Sequence, residues 1–442
     1  MNMRKIDDEI QALLSEHRGD IRSILKDNHR LDLLYALSSQ RELLLEWYDF
    51  EPEAEVLQVG ADYGALTGLL RSSVSAVTVL DDTESALETV RQRYPGAANI
   101  HYHKDSLTGY AAEACAEGKK YDYVIFAGTL TAPYEDHIHA AKALLKPEGI
   151  LIVASANALG MKYFAGTVEE ENALTKRQLM ELLCGDKENQ SMAEENGALK
   201  FYYPMPDYKT PVSIYSDAYL PKKGDLTRVT PAYDYPPYHM MEQGEKFDTV
   251  CEAGLFDLYA NSYLVFWSAD PKQLQKDDER IFIKYNKTRR EEFQIKTCIC
   301  ERNVSGEAAA GAGTGAAGVE TAEKTAGTGA ADEKERYVEK AALSLDGSAH
   351  IASFKEKYEK LTKQHRTLKV AEPKFAEHRN SVYFPYLVGQ TCAEKLGEQL
   401  EGGQLPLDVL QIVMNQIYDI SPECRSAFVR TEEFDEIGRA HV

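Results

Sequence analysis

Residues 56–68 read VLQVGADYGALTG. An apolar run stops at a glycine, as a short buried strand does on entering a tight turn. GALTGLLRSS then has the apolar spacing of a helix. Gly60 permits the turn, Gly64 lets a ligand approach the backbone, and Gly68 follows at the same spacing. A helix opening there offers free N–H groups. The loop is therefore expected to cradle a nucleotide-bearing ligand.

The flanks repeat this rhythm. Residues 5–16 and 31–48 have helical spacing of apolar positions. After the loop come AVTVLD, a strand; ESALETVRQRY, a helix; NIHYHKD and KYDYVIFAG, two strands; EDHIHAAKALLKPEG, a helix closed by Pro147 and Gly149; and ILIVASAN, a fifth strand. Alternating strands and helices predict an α/β fold with a doubly wound parallel sheet, ligands sitting beyond the strand C-termini. The second strand ends in Asp81 and Asp82, twenty-one positions after Gly60 (81 − 60). An acid there can accept from both ribose hydroxyls. Asp105, after the third strand, is placed to accept from an adenine amino group.

The spacing Gly60-Ala-Asp-Tyr-Gly64 is not the GxGxxG of a pyrophosphate loop. Asp62 would face phosphates with a like charge. A cationic ligand is more compatible. S-adenosylmethionine carries a sulfonium and an ammonium and no phosphate. A nicotinamide-dependent oxidoreductase is disfavoured by the same two features.

The chain has 442 residues, more than one compact core holds, and 43% of them are hydrophobic. Its 71 acidic and 50 basic residues give a formal charge of −21. That argues against nucleic acid or an anionic membrane as partner. No Asn-Pro-Pro-Tyr-like motif follows the fourth strand, where AGTLTAPY stands. No run approaches the roughly 18 apolar residues of a membrane span. The acidic MNMRKIDDEIQALLSEH lacks a signal core, so a cytoplasmic location is expected. Seven scattered cysteines suit a reducing compartment. Cys298 and Cys300 have no second ligand pair nearby and read as strand residues, so no metal is expected.

The run VLQVGADYGALTG…VTVLDD…NIHYHKDSL…YDYVIFAG…LLKPEGILIVASAN resembles the class I S-adenosylmethionine-dependent methyltransferases over roughly residues 40–270. NALGMKYFAG, FYYPMPDYKTPVSIYSDAYLP and EAGLFDLYANSYLVFW resemble a bacterial branch of that family associated with surface-polysaccharide loci. The resemblance implies a Rossmann-like sheet and S-adenosylmethionine as cofactor. It implies cofactor contacts at Gln58, Gly60, Asp62, Gly64, Asp81, Asp82, Asp105 and Gly128. The family usually has an acid at Gln58, to hold the methionine ammonium, and glycine at Asp62. The branch tends to have acids where Thr131 and Ala156 stand. Asp62 is expected to replace the missing acid in part. Candidate bases are His137 or His139, and Tyr163 or Lys162. FYYPMPDY reads either as an acceptor lid or as an extension of the sheet. The acceptor is expected to be a small molecule or a glycan.

Residues 303–333 are rich in Ala, Gly, Thr and Glu and read as a flexible insertion. The strands EFQIKTCICE and ERYVEKAAL would form a hairpin without it. The amphipathic HIASFKEKYEKLTKQH follows, then the strands LKVAEP and NSVYFPYL, then the helix of VGQTCAEKLGEQL. This order resembles the small lobe of kinase-like and aminoglycoside-phosphotransferase-like folds. It implies that Lys340 holds nucleotide phosphates and that Glu356 or Glu359 orients it. No HRD-like or DFG-like segment follows, so the lobe as given is incomplete. EIGRAHV resembles a translated sequencing adapter, so 436–442 are expected to be non-native, with the native chain continuing past Asp435.

The expected domains are a helical segment at 1–45, a methyltransferase-like domain at 46–272, a smaller α+β kinase-like lobe at 273–435, and the tail. The expected function is methyl transfer to a cell-surface glycan or its precursor. The alternative is a degenerate fold serving as a binding or scaffold module for the kinase-like part.

Overall fold

The computed structural model describes residues 3–185, 187–227, 240–276, 278–304, 333–364, 370–375 and 380–424. Most of the 303–333 insertion and all of 436–442 lie outside the described residues. The chain divides into two compact units: Met1–Asn286 with Cys298–Arg302, and Lys287–Thr297 with Asn303–Val442.

The first unit carries β1 (Glu55–Val59), β2 (Ala76–Asp81), β3 (Ile100–Lys104), β4 (Tyr121–Ala127), β5 (Leu145–Ala156), β6 (Leu199–Met205), β7 (Ser213–Ser216), β8 (Ser262–Ser268) and β9 (Asp278–Asn286). Their order across the sheet is β9-β7-β6-β8-β5-β4-β1-β2-β3. β1 pairs in parallel with β2 and with β4, β2 with β3, and β4 with β5. β8 pairs antiparallel with β5 and β6, and β7 with β6 and β9. The chain runs outward from β1 to β3, then crosses to β4 on the other side of β1. The crevice between β1 and β4 is thus the switch point where such sheets bind ligands.

Parallel central strands must be apolar on both faces, because helices cover both. Leu57, Val124, Leu151 and Val265 are fully buried in one core, each worth about 1.5–3 kcal/mol of burial. A second cluster, Ile10, Leu14, Ile24, Leu33 and Leu37, joins the N-terminal helices, with Tyr63 of the glycine loop packed on it. Gln11 donates to Ser85 O at 2.8 Å, tying helix Met3–Glu16 to helix Glu84–Arg93.

Several elements differ from their sequence reading. Helix Tyr134–Ala143 stops early, and the Leu145–Glu148 stretch around Pro147 opens β5 instead. A helix at Leu107–Ala116, capped by Ser106, stands where no helix is read; its small residues give little periodicity. The 31–48 stretch splits into helix Leu31–Leu37 and the 3-10 turn Ser39–Leu44. FYYPM is β6, buried on both faces, so it is sheet rather than acceptor lid.

The second unit holds β11 (Glu333–Ala342), β12 (Lys374–Phe375), β13 (Ser381–Pro385) and residues Ile295–Thr297 of β10 (Ile295–Val304). β11, β13 and β12 follow one another in sheet order. β11 and β12 pair antiparallel with β13. LKVAEP is not a strand in its described residues; β12 is the pair that follows it. Ile295, Ile351 and Val382 form a small core with helix Ser348–Gln364 on it.

Candidate functional site

The turn after β1 is built by its own side chains. Gly60 has φ +86°, and a Cβ there would lie 2.5 Å from Thr129 Cγ2. Thr129 also donates its hydroxyl to Val59 O, bridging the loops after β1 and β4. Asp62 (φ 41°) and Tyr63 (φ 54°) are both left-handed, which a side chain resists by about 1–3 kcal/mol. Arg93 holds this conformation, donating to Tyr63 O at 2.6 Å and to Ala36 O and Leu37 O. Gly68 lies in helix Thr67–Ser73, where a Cβ would meet Glu42 Oε1 and Tyr94 Oη. Its role there is packing.

Gln58 is buried, and the chain uses both its ends. Nε2 donates to Gly60 O at 3.1 Å and Ala61 O at 3.3 Å, while Oε1 accepts from Thr67 Oγ1 at 2.8 Å. Asp81 Oδ2 accepts from Ala61 N at 2.9 Å, and Oδ1 from Thr83 N and Oγ1. The Asp105 amide donates to Asp81 O at 3.1 Å. Asp105, His103 and Glu113 each bring a side-chain ligand atom within 4.8 Å of the others. Asp82 is exposed. The structure thus gathers Gln58, Gly60, Asp62, Gly64, Asp81 and Asp105 along the edge of β1, β2 and β3.

The far side of the crevice is lined differently. Gly128 ends β4 with φ +82°, and a Cβ there would lie 2.5 Å from the Tyr208 ring. The Arg41 guanidinium carbon lies 5.2 Å from the centroid of that ring, and its Nη1 stands 3.1 Å from Asp62 Oδ2. Tyr208 donates to Glu170 Oε2 at 3.2 Å. Glu170 also meets Lys162 Nζ at 2.8 Å and Lys209 Nζ at 3.0 Å, and Lys162 meets Asp207 at 2.5 Å. Burial pushes the Glu170 carboxyl up, but Lys162 and Lys209 outweigh it and hold it at about 2. Lys162 is desolvated too, yet Asp207 and Glu170 raise its pKa above the usual lysine range. Lys162, a candidate base, is therefore locked as a cation.

His137 sits in the first turn of helix Tyr134–Ala143, its Nδ1 2.9 Å from Thr131 O. A carbonyl only accepts, so Nδ1 is the donor in this contact. Tyr163 is half-buried, and burial pushes its phenol up to about 12. It is neutral near pH 7, and its hydroxyl oxygen accepts from the Glu170 amide at 3.4 Å. His139 lines a cavity of about 500 Å³ with Glu135, Lys142, Gln178 and Glu181.

Arg41 and Glu170 were not legible as site residues, whereas Asp207 and Tyr208 fall within FYYPMPDY, read as a lid or a sheet extension. The signal for Arg41 was a lone cation in SSQRELLLEW just ahead of the first strand. In the second unit, Lys340 Nζ lies over the rings of Phe354 and Phe384 at 5.9 and 5.8 Å, and Glu356 pairs with Lys360 at 2.6 Å. The two are not paired with each other here. Among the described residues, no helix is long and apolar enough to cross a membrane.

No family model and no curated protein sequence matches the chain. Parts of it are similar to solved structures. The N-methyltransferase NodS of Bradyrhizobium japonicum, in complex with S-adenosylhomocysteine, is 18% identical over 39% of this chain and 83% of its own, with a TM-score of 0.28. Phosphoethanolamine N-methyltransferase 1 of Haemonchus contortus is 15% identical over 47% and 46%, with a TM-score of 0.31. A precorrin 8W decarboxylase of Methanobacterium thermoautotrophicum is 17% identical over 38% and 77%, with a TM-score of 0.28.

Proposed function

We propose that the first unit binds S-adenosylmethionine at the β1–β4 crevice and transfers its methyl group to a small acceptor. The observation that carries this is the switch-point crevice with two positive-φ glycines, Gly60 and Gly128, facing it and acids at the ends of β2 and β3. The bound cofactor supplies an electrophilic methyl group on a sulfonium, displaced in line by an acceptor atom. Asp81 and Asp82 accept from the ribose hydroxyls, and Asp105 from the adenine amino group. The buried Arg41 Nε, which lacks a hydrogen-bond partner, and the Arg41–Asp62 ion pair beside it fit a ligand with a charged tail. His137 Nε2 takes the acceptor's proton, and the neutral Tyr163 orients the acceptor. We propose a cell-surface glycan or its precursor as the acceptor; its support is the likeness to the polysaccharide-linked branch.

A second reading, a fold kept as a binding or scaffold module, is favoured by one observation: both ends of Gln58 and both oxygens of Asp81 are taken by the chain itself. For the second unit, nucleotide binding through Lys340 and Glu356 requires both to leave their present partners.

Titration calorimetry of S-adenosylmethionine and S-adenosylhomocysteine into the full chain tests the first reading. Micromolar binding lost in Asp81→Ala supports it. No heat from a folded chain overturns it and favours the scaffold reading.

A further inference from the structure

We infer that Arg41 and Asp62 together form a receptor for an α-amino-acid zwitterion, Arg41 taking the carboxylate and Asp62 the ammonium of the ligand's tail. The inference rests on the cofactor reading above and assigns the end of the site where the expected acid is missing.

Arg41 comes from the turn Ser39–Leu44, ahead of β1, and its side chain is only 5% exposed. Nη1 donates to Ala127 O, the last residue of β4, at 3.2 Å. The guanidinium therefore stands at the switch point, beside the carboxylate of the β1 turn. Among the described residues, Arg41 Nε is buried without a hydrogen-bond partner, and the buried Asp62 Oδ2 is met by Arg41 Nη1 alone, as an ion pair at 3.1 Å. Buried charged groups left short of partners are costly unless something supplies them. One donor and one acceptor, adjacent and opposite in charge, are the complement of a carboxylate and an ammonium on one carbon.

Other residues leave this task to the pair. Gln58 stands where an acid is expected, but Thr67, Gly60 and Ala61 consume both its ends. Tyr208 covers Arg41, and its ring lies against Gly128, which keeps water from the guanidinium. A low local dielectric strengthens each charged contact made there.

The test compares two ligands on the full chain by calorimetry: S-adenosylhomocysteine, and 5′-deoxy-5′-methylthioadenosine, which keeps the adenosine and thioether and lacks the amino-acid end. The wild type should bind the first more tightly. Asp62→Asn and Arg41→Gln should each weaken it by about 10–100-fold and leave the second within about twofold. Asp62→Asn is the safer variant, since Asp62 is partly exposed, and circular dichroism reports whether Arg41→Gln folds. Equal wild-type affinities, or equal losses for both ligands in Asp62→Asn, overturn the inference while the adenosine site stands. Binding of neither ligand overturns the cofactor reading and this inference with it.

Discussion

The two ends of the β1–β4 crevice hold charge in opposite ways. Along β1, β2 and β3 the charges are of one sign and half-buried or exposed: Asp81, Asp82 and Asp105, with backbone amides donating to Asp81 and Asp105. On the side of β4, β5 and β6 they alternate and are buried or half-buried: Arg41, Lys162, Glu170 and Asp207, with Asp62 of the β1 turn set against Arg41. The first arrangement is cheap, because water still solvates the carboxylates. The second has paid desolvation and depends on every partner staying in place. The first end should tolerate substitution; the second should not.

The largest expected effect is at Lys162. Lys162→Met leaves Glu170 without one of its two lysines and Asp207 without its buried partner, and should cost about 3–5 kcal/mol in urea unfolding. Adding Asp207→Leu should recover much of that. A single-variant loss under about 1 kcal/mol would break the contrast between the two ends.

Acid titration comes next. Glu170 is held at about 2, below the usual carboxylate value near 4.5. A depressed folded pKa adds stability that is present above the unfolded value and lost as pH falls from there through about 2. Glu170→Gln should flatten the stability profile in that window; an unchanged slope would place the acid sensitivity elsewhere.

At the other end, Asp81→Ala removes three accepted hydrogen bonds and should cost about 1–3 kcal/mol, with faster amide exchange at Ala61 and Thr83. Exchange unchanged at both would show that the turn is held from Arg93 alone. The smallest effect is expected at Tyr163. With its phenol at about 12, Tyr163→Phe should leave the shape of any pH–rate profile near neutrality unchanged, and a lost limb there would reveal a Tyr163 phenolate in the chemistry.

The central strands were legible because a parallel sheet forces apolar runs between turn residues: VLQV, AVTVLD and YVIFA fell where β1, β2 and β4 lie. The glycine turn was legible for the same local reason, since Gly60 must take φ +86°. The Arg41 corner was not. A buried arginine is written like a surface one, and only tertiary contacts with Ala127, Tyr208 and Asp62 distinguish it. Gln58 was picked out by its place in the motif, where the family usually has an acid; in the structure its side chain bonds to Gly60, Ala61 and Thr67. β5 outran its reading because Pro147 lies near the start of the strand, before the Ile150–Ala156 residues that pair with β8.

β8 is wedged between β5 and β6, although it leaves the ribosome after β6 and β7. During synthesis the β6–β7 hairpin therefore has no neighbour to dock on, and β5 keeps an open apolar edge. The sheet closes only when residues 262–268 arrive, so a stalled or nicked nascent chain ending before Ser262 should be captured by chaperones, whereas one ending shortly after Ser268 should have its central sheet joined.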